Sequence, residues 1–552
     1  MEHLDYFATQ KASLKNFGDF CRHNAPLVIM VGMALFLTHG VKLVVFSIGI
    51  DTELFLIQKP TSLITNLQIG RFGLAWLQSF LYGAGFNPVL GFAGAVCFTW
   101  LFTLSWCYII ALFSKNTGRN DRLIPFALLF MTSPIWAEQF YFVFQATEIA
   151  AMVFICPFAI YFLFKGVLEN NWANALAAGA MLVFMISVYQ TLVLLFVCGL
   201  FACFLLLREN SDYEGKVYLR LGIKLLVAVL IAIALYFFLA KIIGRIANTG
   251  ESVYLETLNM WGKQSVWRSI AKILGFCYAV TIGNIPWVQD IAKPIIEKAA
   301  HGNPDLISYF RNSVNITSNA LLLPGCLLFI LVIIRQIRKK ISDARMPYLL
   351  AGLAVPCCIV VPAMAGGAFP PVRTLFALPF STAFMLFFLI DHTRKPIGAI
   401  ITVLALLVAA HQGQVTAQLY YADYRRYQDD RQFARNLGEA LTPFDAPRGF
   451  PLAMVGSRRA TSVFGADFFQ GQVSGYSFFE WREKSPYEGG ERGVPFMRAL
   501  GFQYGVASLP QMNAARAAAL SMPSYPRAGS IKRLPDMIVV KLSASTYQPG
   551  SE

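Results

Sequence analysis

Eleven apolar stretches of the chain are long enough, or nearly so, to cross a lipid bilayer as helices. Such a helix needs about 20 apolar residues, and ~17 are tolerated. The stretches lie at 26–48, 87–113, 123–137, 149–165, 172–188, 190–207, 221–242, 319–335, 347–364, 374–390 and 397–413. Only 14% of the 552 residues are charged, against about 25% in soluble proteins. The sequence therefore excludes an ordinary soluble enzyme and predicts a polytopic α-helical membrane protein with about eleven transmembrane helices.

The basic residues predict the orientation of these helices, because Lys and Arg concentrate in short cytoplasmic loops. With the N-terminus inside, the short cytoplasmic segments carry 18 Lys and Arg, and the short outside loops carry three. We therefore expect a cytoplasmic N-terminus and, after eleven spans, an outside C-terminus. The same distribution explains much of the net charge of +15. The basic run 335–345 follows an apolar stretch, so we interpret it as an anchor facing anionic membrane lipid and expect no nucleic-acid partner.

Three segments outside the cytoplasm are large enough to carry function. Residues 49–86 place apolar side chains at helical spacing, which predicts an amphipathic helix on the membrane surface. Residues 243–318 contain Trp261, Trp267 and Trp287, which is typical of interfacial helices. The third segment is the tail, 414–552, which contains no spanning stretch.

The tail is predicted to form a small soluble α/β domain outside the membrane. Residues 418–441 have the pattern of a helix with charges on one face, and 451–455 and 537–542 are short β-type runs between Gly- and Pro-rich turns. We therefore divide the chain into a transmembrane domain, 1–413, and a soluble domain, 414–552.

Two carboxylates follow the first apolar stretch, in Gly49-Ile50-Asp51-Thr52-Glu53. Acidic groups at the edge of the hydrocarbon layer are unfavourable there and usually functional. The alternative is a helix terminus that reaches water, where a carboxylate is well solvated. We select Asp51 and Glu53 as candidate catalytic residues.

Two arginines in the outside loops are candidate ligands for a phosphate. Arg71 lies between glycines in Gly70-Arg71-Phe72-Gly73, and Arg373 lies in Pro371-Val372-Arg373 before the tenth stretch. A guanidinium binds phosphate through a planar fork of donors. The alternatives are an arginine that snorkels from an interfacial helix and an arginine that anchors topology.

Four further polar residues interrupt or border apolar stretches. Glu138 and Glu148 flank an aromatic turn, and Tyr189 and Gln190 lie between the fifth and sixth stretches. Polar groups in the membrane face protein or a cavity rather than lipid. We expect Glu148 to face protein or a cavity, and Tyr189 and Gln190 to line a polar crevice, for which a helix–helix hydrogen bond is the alternative. All four are candidate substrate-binding residues.

These groups suit the transfer of a group from a donor in which a phosphate is attached to a lipid. A carboxylate would deprotonate the hydroxyl of an acceptor, and an arginine or a metal would stabilise charge on the departing phosphate. Sugar transfer from a polyprenyl phosphate has these requirements, and its transition state is oxocarbenium-like, as in glycoside hydrolysis.

The same motifs resemble those of the GtrII-type glucosyltransferases, bacterial inner-membrane enzymes of the GT-C class that modify O-antigen. The resemblance rests on Asp51-Thr52-Glu53, Gly70-Arg71-Phe72-Gly73, Tyr189-Gln190, Pro371-Val372-Arg373 and the segment Tyr420–Asp430. It covers roughly residues 25–445 in layout. The GT-C class places its catalytic acid in the first outside loop, which implies Asp51 as general base, with Glu53 as the alternative or as a supporting ligand.

The resemblance also implies the substrates and partners. The donor would be undecaprenyl-phosphate-linked glucose, supplied through a bactoprenol glucosyltransferase and a flippase, and the acceptor would be lipid-linked O-antigen of lipopolysaccharide in the periplasm. Modification of this kind underlies serotype conversion. Some GT-C enzymes use a divalent metal. No second Asp-x-Asp cluster occurs in the outside loops, so we expect a metal-independent enzyme without a cofactor.

Two other functions compete with this interpretation. A transporter or flippase of lipid-linked sugars is expected to show internal repeats and little soluble tail. An O-antigen ligase or polymerase would also act at the outer face, with Arg/His-rich outside loops in place of an acidic pair. The acids after the first stretch and the long tail favour the glucosyltransferase.

Overall fold

The computed structural model describes residues 12–83, 85–211, 213–250, 259–282, 321–339, 343–461, 471–545 and 547. The protein is mostly helical, and helix overlaps every one of the apolar stretches. The α-helices are Leu14–His23, Ala25–His39, Val41–Val44, Thr52–Ile57, Lys59–Gln68, Phe72–Leu81, Pro88–Phe113, Leu123–Met131, Pro134–Phe140, Val143–Leu168, Trp172–Val188, Leu192–Glu209, Gly215–Ile246, Val266–Ile282, Leu322–Lys339, Arg345–Cys357, Val361–Gly366, Ala377–His392, Lys395–Leu441, Gly490–Ala499 and Leu509–Ala519. Val372–Thr374 and Thr442–Phe444 are 3₁₀ turns.

Six of the described helices are long and apolar enough to cross a membrane. Lys15–His23 and Ala25–His39 meet at a bend of 86° and add a seventh if the pair forms one span. These helices support the membrane protein predicted from the sequence, whereas the count of eleven spans stays a prediction.

The first apolar stretch does not continue as one helix to residue 48, as the sequence predicts. The helix ends at His39, and residues 45–50 have no regular structure. The carbonyl of Phe36 comes so close to Gly40 that a β-carbon there would lie 2.2 Å from its oxygen. The helix thus ends nine residues before its predicted end, and after the short helix Val41–Val44 the chain reaches the acidic pair without regular structure.

The single amphipathic helix predicted within 49–86 is also wrong, because this segment contains three short helices. Pro60 has no backbone N–H to donate, so a new helix begins at Lys59. Gly70 adopts a left-handed conformation (φ 79°) and ends that helix, and the N–H of Arg71 donates back to the carbonyl of Asn66.

The predicted outside loop 243–318 lies partly outside the described residues, and so does Trp287. Trp267 belongs to the helix Val266–Ile282 and is 80% exposed, as expected of an interfacial or lipid-facing ring. The indole of Trp261 donates to the carbonyl of Met364.

The chain divides into two compact units. The first comprises Met1–Val41, Leu63–Phe140 and Gln145–Ala417, and the second comprises Lys42–Ser62, Tyr141–Phe144 and Gln418–Glu552. The longest part of the second unit, Gln418–Glu552, lies within the predicted tail 414–552, and the division into a transmembrane and a soluble domain stays a prediction. The second unit also includes the acidic segment after the first stretch, which the sequence assigns to the transmembrane domain.

Aromatic side chains fill the interior of the first unit. The rings of Trp106 and Phe380 lie 4.4 Å apart between centroids, and Phe130 packs against both. Ring contacts of this kind add to the apolar area that they bury. They join the helices Pro88–Phe113, Leu123–Met131 and Ala377–His392 in one core.

The second unit contains a four-stranded sheet with the order β2-β1-β4-β3. The strands are β1 Pro451–Val455, β2 Gly505–Val506, β3 Ile531–Leu534 and β4 Met537–Lys541. β1 pairs in parallel with β2 and β4, and β3 is antiparallel to β4. Both β-type runs expected from the sequence thus form strands, and the α/β character of the tail follows from the helices Gly490–Ala499 and Leu509–Ala519 that pack on β1.

Candidate active site

The acidic pair lies in the second unit, where the loop turns into the helix Thr52–Ile57. Asp51 is the N-cap residue of this helix and has a left-handed conformation (φ 70°), and its side chain makes no capping hydrogen bond. The Asp51 carboxylate remains 41% exposed, whereas the Glu53 side chain is fully buried. The two acids, only two residues apart, therefore have different access to solvent.

Arg492 binds both acids. Its Nη2 donates to Oδ1 of Asp51 (2.6 Å), and its Nη1 donates to Oε1 of Glu53 (3.1 Å). It belongs to the helix Gly490–Ala499, which packs against Thr52–Ile57. One guanidinium thus fixes the distance between two carboxylates, a role that its planar fork of donors allows.

The two carboxyl groups differ in their environments. Burial raises the pKa of Glu53 to about 8, even though the Arg492 guanidinium acts to lower it. Oε2 of Glu53 has no hydrogen-bond partner among the described residues. Glu53 is therefore largely protonated at neutral pH, and Arg492 can donate to its carbonyl oxygen in that form.

The loop before the acids is held by the segment Tyr141–Phe144. Gly49 lies directly against Tyr141, so that a β-carbon at position 49 would be 2.4 Å from the Tyr141 carbonyl oxygen. Further along, the ring of Phe55 stacks on Phe144 with centroids 5.5 Å apart. These contacts fix the path of the chain on both sides of Asp51.

A buried network of charged side chains also contacts the loop before Asp51. Arg426 donates to the carbonyl of Ile48 (2.9 Å) and forms ion pairs with Asp423 and Asp430. Asp423 also accepts from Lys42 (2.9 Å). All these side chains are buried, so the charged face predicted for 418–441 contacts protein here rather than water.

A second cluster of predicted residues lies in the first unit, around Arg71. Its guanidinium lies 4.3 Å from the centre of the Tyr189 ring, and its Nε donates to the side chain of Gln190 (3.1 Å). Nη1 donates to Gln145 (3.4 Å), a residue that the sequence does not single out. Gln190 in turn donates to the carbonyl of Ile69, just before Gly70. Tyr189, Gln190 and Arg71 thus meet as expected for a polar crevice.

Aromatic contacts connect this cluster to the turn that carries Arg373. That turn, Val372–Thr374, packs on the helix Pro134–Phe140, which contains the buried Glu138. Phe376, three residues after Arg373, contacts the ring of Tyr189 (5.6 Å between centroids). Arg373 and Glu138 thus belong to neighbouring elements.

Glu148 lies near the start of the helix Val143–Leu168, three residues after Gln145. It is 1% exposed, and its side chain interacts with that of Tyr82. This arrangement agrees with the expectation that Glu148 faces protein rather than lipid.

Arg492 is the residue that sequence reasoning misses. The tail contains 16 Lys and Arg and 12 Asp and Glu, and no spacing distinguishes one arginine among them. Arg426 enters that reasoning only as part of the segment Tyr420–Asp430. Asp423, Arg426 and Asp430 follow one another at three and four residues, which places them on one helix face and could have indicated a buried network.

A family model described as Glucosyl transferase GtrII matches residues 40–390. This range includes Asp51, Glu53 and the Arg71 cluster, whereas Arg492 lies beyond it. No curated protein and no solved structure matches the chain. The match extends over more than half of the sequence and confirms the resemblance inferred from the short motifs. The chain therefore belongs to the GtrII glucosyltransferase family.

Proposed function

We propose that the protein transfers glucose from a polyprenyl-phosphate donor, undecaprenyl-phosphate-glucose, to lipid-linked O-antigen at the periplasmic face of the bacterial inner membrane. Family membership supports glucosyl transfer, and the long apolar helices support a membrane enzyme. A lipid-linked donor is consistent with both. A bactoprenol glucosyltransferase and a flippase would supply this donor from the cytoplasmic side.

The observation that carries the proposal is the state of Asp51. Arg492 binds one of its oxygens, and the side chain is still 41% exposed. Within the described part of the chain, Arg492 is the only side chain that bonds to this carboxylate. Asp51 is therefore held in place and yet accessible to an acceptor hydroxyl, as a general base must be.

Glu53 has a supporting role in this proposal. It is fully buried, and its pKa of about 8 keeps it largely protonated at neutral pH. Because it is buried, Glu53 does not contact an acceptor, and because it is protonated, it does not accept the proton of the acceptor hydroxyl. Glu53 instead contributes the second contact that orients Arg492, and thereby Asp51.

The proposed reaction needs one base and one stabilised leaving group. Asp51 removes the proton from the acceptor hydroxyl while the oxygen of that hydroxyl bonds to C1 of the glucosyl residue. The bond between C1 and the phosphate oxygen breaks, and the polyprenyl phosphate departs with the electron pair. Arg71 and Arg373 would bind this phosphate, because guanidinium groups neutralise phosphate through charge-assisted hydrogen bonds. Tyr189 and Gln190 would orient Arg71.

The acidic pair does not fit a divalent metal, because Arg492 already occupies the position between the two carboxylates. In addition, no group of three potential metal ligands occurs among the described residues. We therefore derive no step through a metal.

The test uses the full-length protein in lipid nanodiscs with undecaprenyl-phosphate-glucose and lipid-linked O-antigen, read by mass spectrometry of the acceptor. We expect Asp51→Asn to reduce transfer by about 10²–10⁴-fold. Glu53→Gln should retain most of the activity. Full activity of Asp51→Asn would overturn the assignment of the base.

Asp445 offers a matched control. It is an exposed Asp of the same unit, also in a left-handed conformation (φ 43°). Asp445→Asn also removes one carboxylate charge from a residue with positive φ, and we expect it to transfer glucose like the wild type. A reporter fused after residue 552 tests the topology, and a cytoplasmic signal would contradict the periplasmic tail.

A further inference from the structure

The second unit contains a half-open cleft that the proposed reaction does not use. Its volume is about 430 Å³, within the range of roughly 300–1,000 Å³ that is usual for small-ligand sites. Its lining includes Arg498, Gln503 and Tyr504, which carry polar side chains, and the glycines Gly501 and Gly505. Arg498 and Gln503 are exposed, and Tyr504 is partly exposed.

The cleft is built on the same two helices as the acidic pair. The helix Thr52–Ile57 begins directly after Asp51, and its last residue, Ile57, lines the cleft. The helix Gly490–Ala499 carries Arg492 near its start and Arg498 near its end. Six residues of helix correspond to a rise of about 9 Å. The cleft therefore lies at the far end of this helix pair, about 9 Å along it from the carboxylates.

The lining has the chemistry that recognises a saccharide. Arg498 supplies a fork of donors, and the Gln503 amide both donates and accepts, as is needed for neighbouring hydroxyl groups. Tyr504 supplies an aromatic face and a hydroxyl, which together suit a ligand with apolar C–H and polar O–H groups. Gly501 has φ 102°, and no atom lies within 4 Å of the position that a β-carbon would take, so this part of the lining is open.

The same lining disfavours a lipid chain. Ile57 and Phe502 are its main apolar side chains, and polar groups and glycine backbone form the rest. The ring of Phe502 packs closely over Gly438, where a β-carbon would lie 2.0 Å from it, so this ring is held in the wall of the cleft. A polyprenyl tail would leave the polar groups without partners, which is unfavourable.

We infer that this cleft binds the saccharide portion of the acceptor, at sugar residues other than the one that receives glucose. The inference rests on the proposed function, because it assumes an acceptor polysaccharide and Asp51 as the base. A saccharide held at the far end of the helix pair reaches Asp51 with a residue further along its chain. Except for Ile57, the cleft residues lie beyond the family-matched range 40–390, so the cleft belongs to a part of the chain that the family model does not describe.

The test compares Arg498→Ala and Tyr504→Ala with the wild type in nanodiscs, under separate titrations of donor and acceptor. We expect the KM for the acceptor to rise at least about tenfold, which corresponds to the loss of a hydrogen bond to a charged donor. The KM for the donor and kcat should stay unchanged. Tyr504→Phe keeps the aromatic ring and loses the hydroxyl, so its KM for the acceptor should rise less than that of Tyr504→Ala. An exposed arginine of the same unit, Arg527, provides the control variant Arg527→Ala.

Direct binding separates recognition from turnover. Saturation-transfer NMR with delipidated O-polysaccharide should give a signal with the wild type and also with the inactive Asp51→Asn variant, and lose it with Arg498→Ala. An unchanged acceptor KM and an unchanged NMR signal in both cleft variants would overturn the inference, and so would a rise in the donor KM alone. If the wild type transfers glucose in that case, the proposed function stands. If the wild type transfers none, the proposed function itself fails.

Discussion

Arg492 donates to Asp51 over 2.6 Å, although 441 positions separate the two residues in the sequence. The contact joins the segment Lys42–Ser62 to the tail within one compact unit. The tail therefore contributes directly to the geometry of the proposed base, and this contribution is testable at Arg492 itself.

Arg492→Lys should reduce glucosyl transfer by about 10–100-fold, because small misplacements of a reacting group have effects of this size. A lysine keeps the charge, but its single ammonium lacks the planar fork that binds both carboxylates. The measurement is kcat in nanodiscs together with the midpoint of thermal unfolding in detergent.

Arg482→Lys is the matched control for this substitution. Arg482 forms an ion pair with Glu491 at 2.8 Å, and its side chain is 59% exposed. Exposed pairs contribute little, so this variant should retain wild-type kcat. Wild-type activity of Arg492→Lys would show that the bidentate contact is dispensable.

The buried Glu53 should make stability depend on pH. Its pKa rises from 4.5 to about 8 on folding, so the folded state holds a proton that the unfolded state releases between these values. The stability that this group contributes is fully present below pH 4.5 and is lost as the pH rises through 8. One proton corresponds to a slope of about 1.4 kcal/mol per pH unit.

Thermal midpoints of the wild type and Glu53→Gln at pH 5, 6.5 and 8 test this linkage. The wild type should lose stability relative to the variant as the pH rises. Burial also raises the pKa of Glu480 to about 7. Glu480 titrates in both proteins, so its effect on stability cancels when the two profiles are compared. Parallel profiles of the two proteins would contradict a raised pKa at Glu53.

The close approach of Gly49 to Tyr141 predicts a steric effect. In Gly49→Ala, the new methyl group would lie 2.4 Å from the Tyr141 carbonyl oxygen, so the loop before Asp51 must shift. We expect a loss of about 1–3 kcal/mol in stability and a clear loss of transfer. A methyl group at Gly118 would meet no atom within 4 Å, so Gly118→Ala should be nearly neutral. Equal behaviour of the two variants would contradict the crowding at Gly49.

Arg71 is predicted to act on the donor. Arg71→Lys loses the contact with the Tyr189 ring and the bond to Gln190, and we expect the KM for the polyprenyl donor to rise about tenfold. The acceptor KM should not change. Lys59→Gln removes a positive charge from the same outside segment and serves as the control for a general effect of charge. An increase confined to the acceptor KM would exclude Arg71 from the donor site.

The sequence predicts the helices well where an apolar stretch is long and uninterrupted. The stretch 87–113 forms Pro88–Phe113, and 172–188 forms Trp172–Val188. The sequence-based prediction of helices fails at the breaks after His39 and at Gly70, because apolar spacing continues across both positions. Hydrophobic periodicity does not register the backbone contacts that end those helices.

The same distinction applies to the candidate site. Asp51 and Glu53 are close in sequence, and the Arg71 cluster follows from polar residues in apolar surroundings. The pairing with Arg492 depends instead on how the helix Gly490–Ala499 packs on Thr52–Ile57. A contact over 441 positions leaves no local pattern, so only the folded chain reveals it.

The left-handed backbone of Asp51 restricts which amino acid can serve as the base. This conformation costs most side chains about 1–2 kcal/mol, and Asp and Asn tolerate it through their short polar side chains. Glu at position 51 would carry the same charge on a strained backbone, whereas position 53 lies within a regular helix that accepts either acid. The two carboxylates are therefore not interchangeable: Glu53→Asp introduces no backbone strain, whereas Asp51→Glu places a longer side chain on a left-handed backbone at a cost in stability.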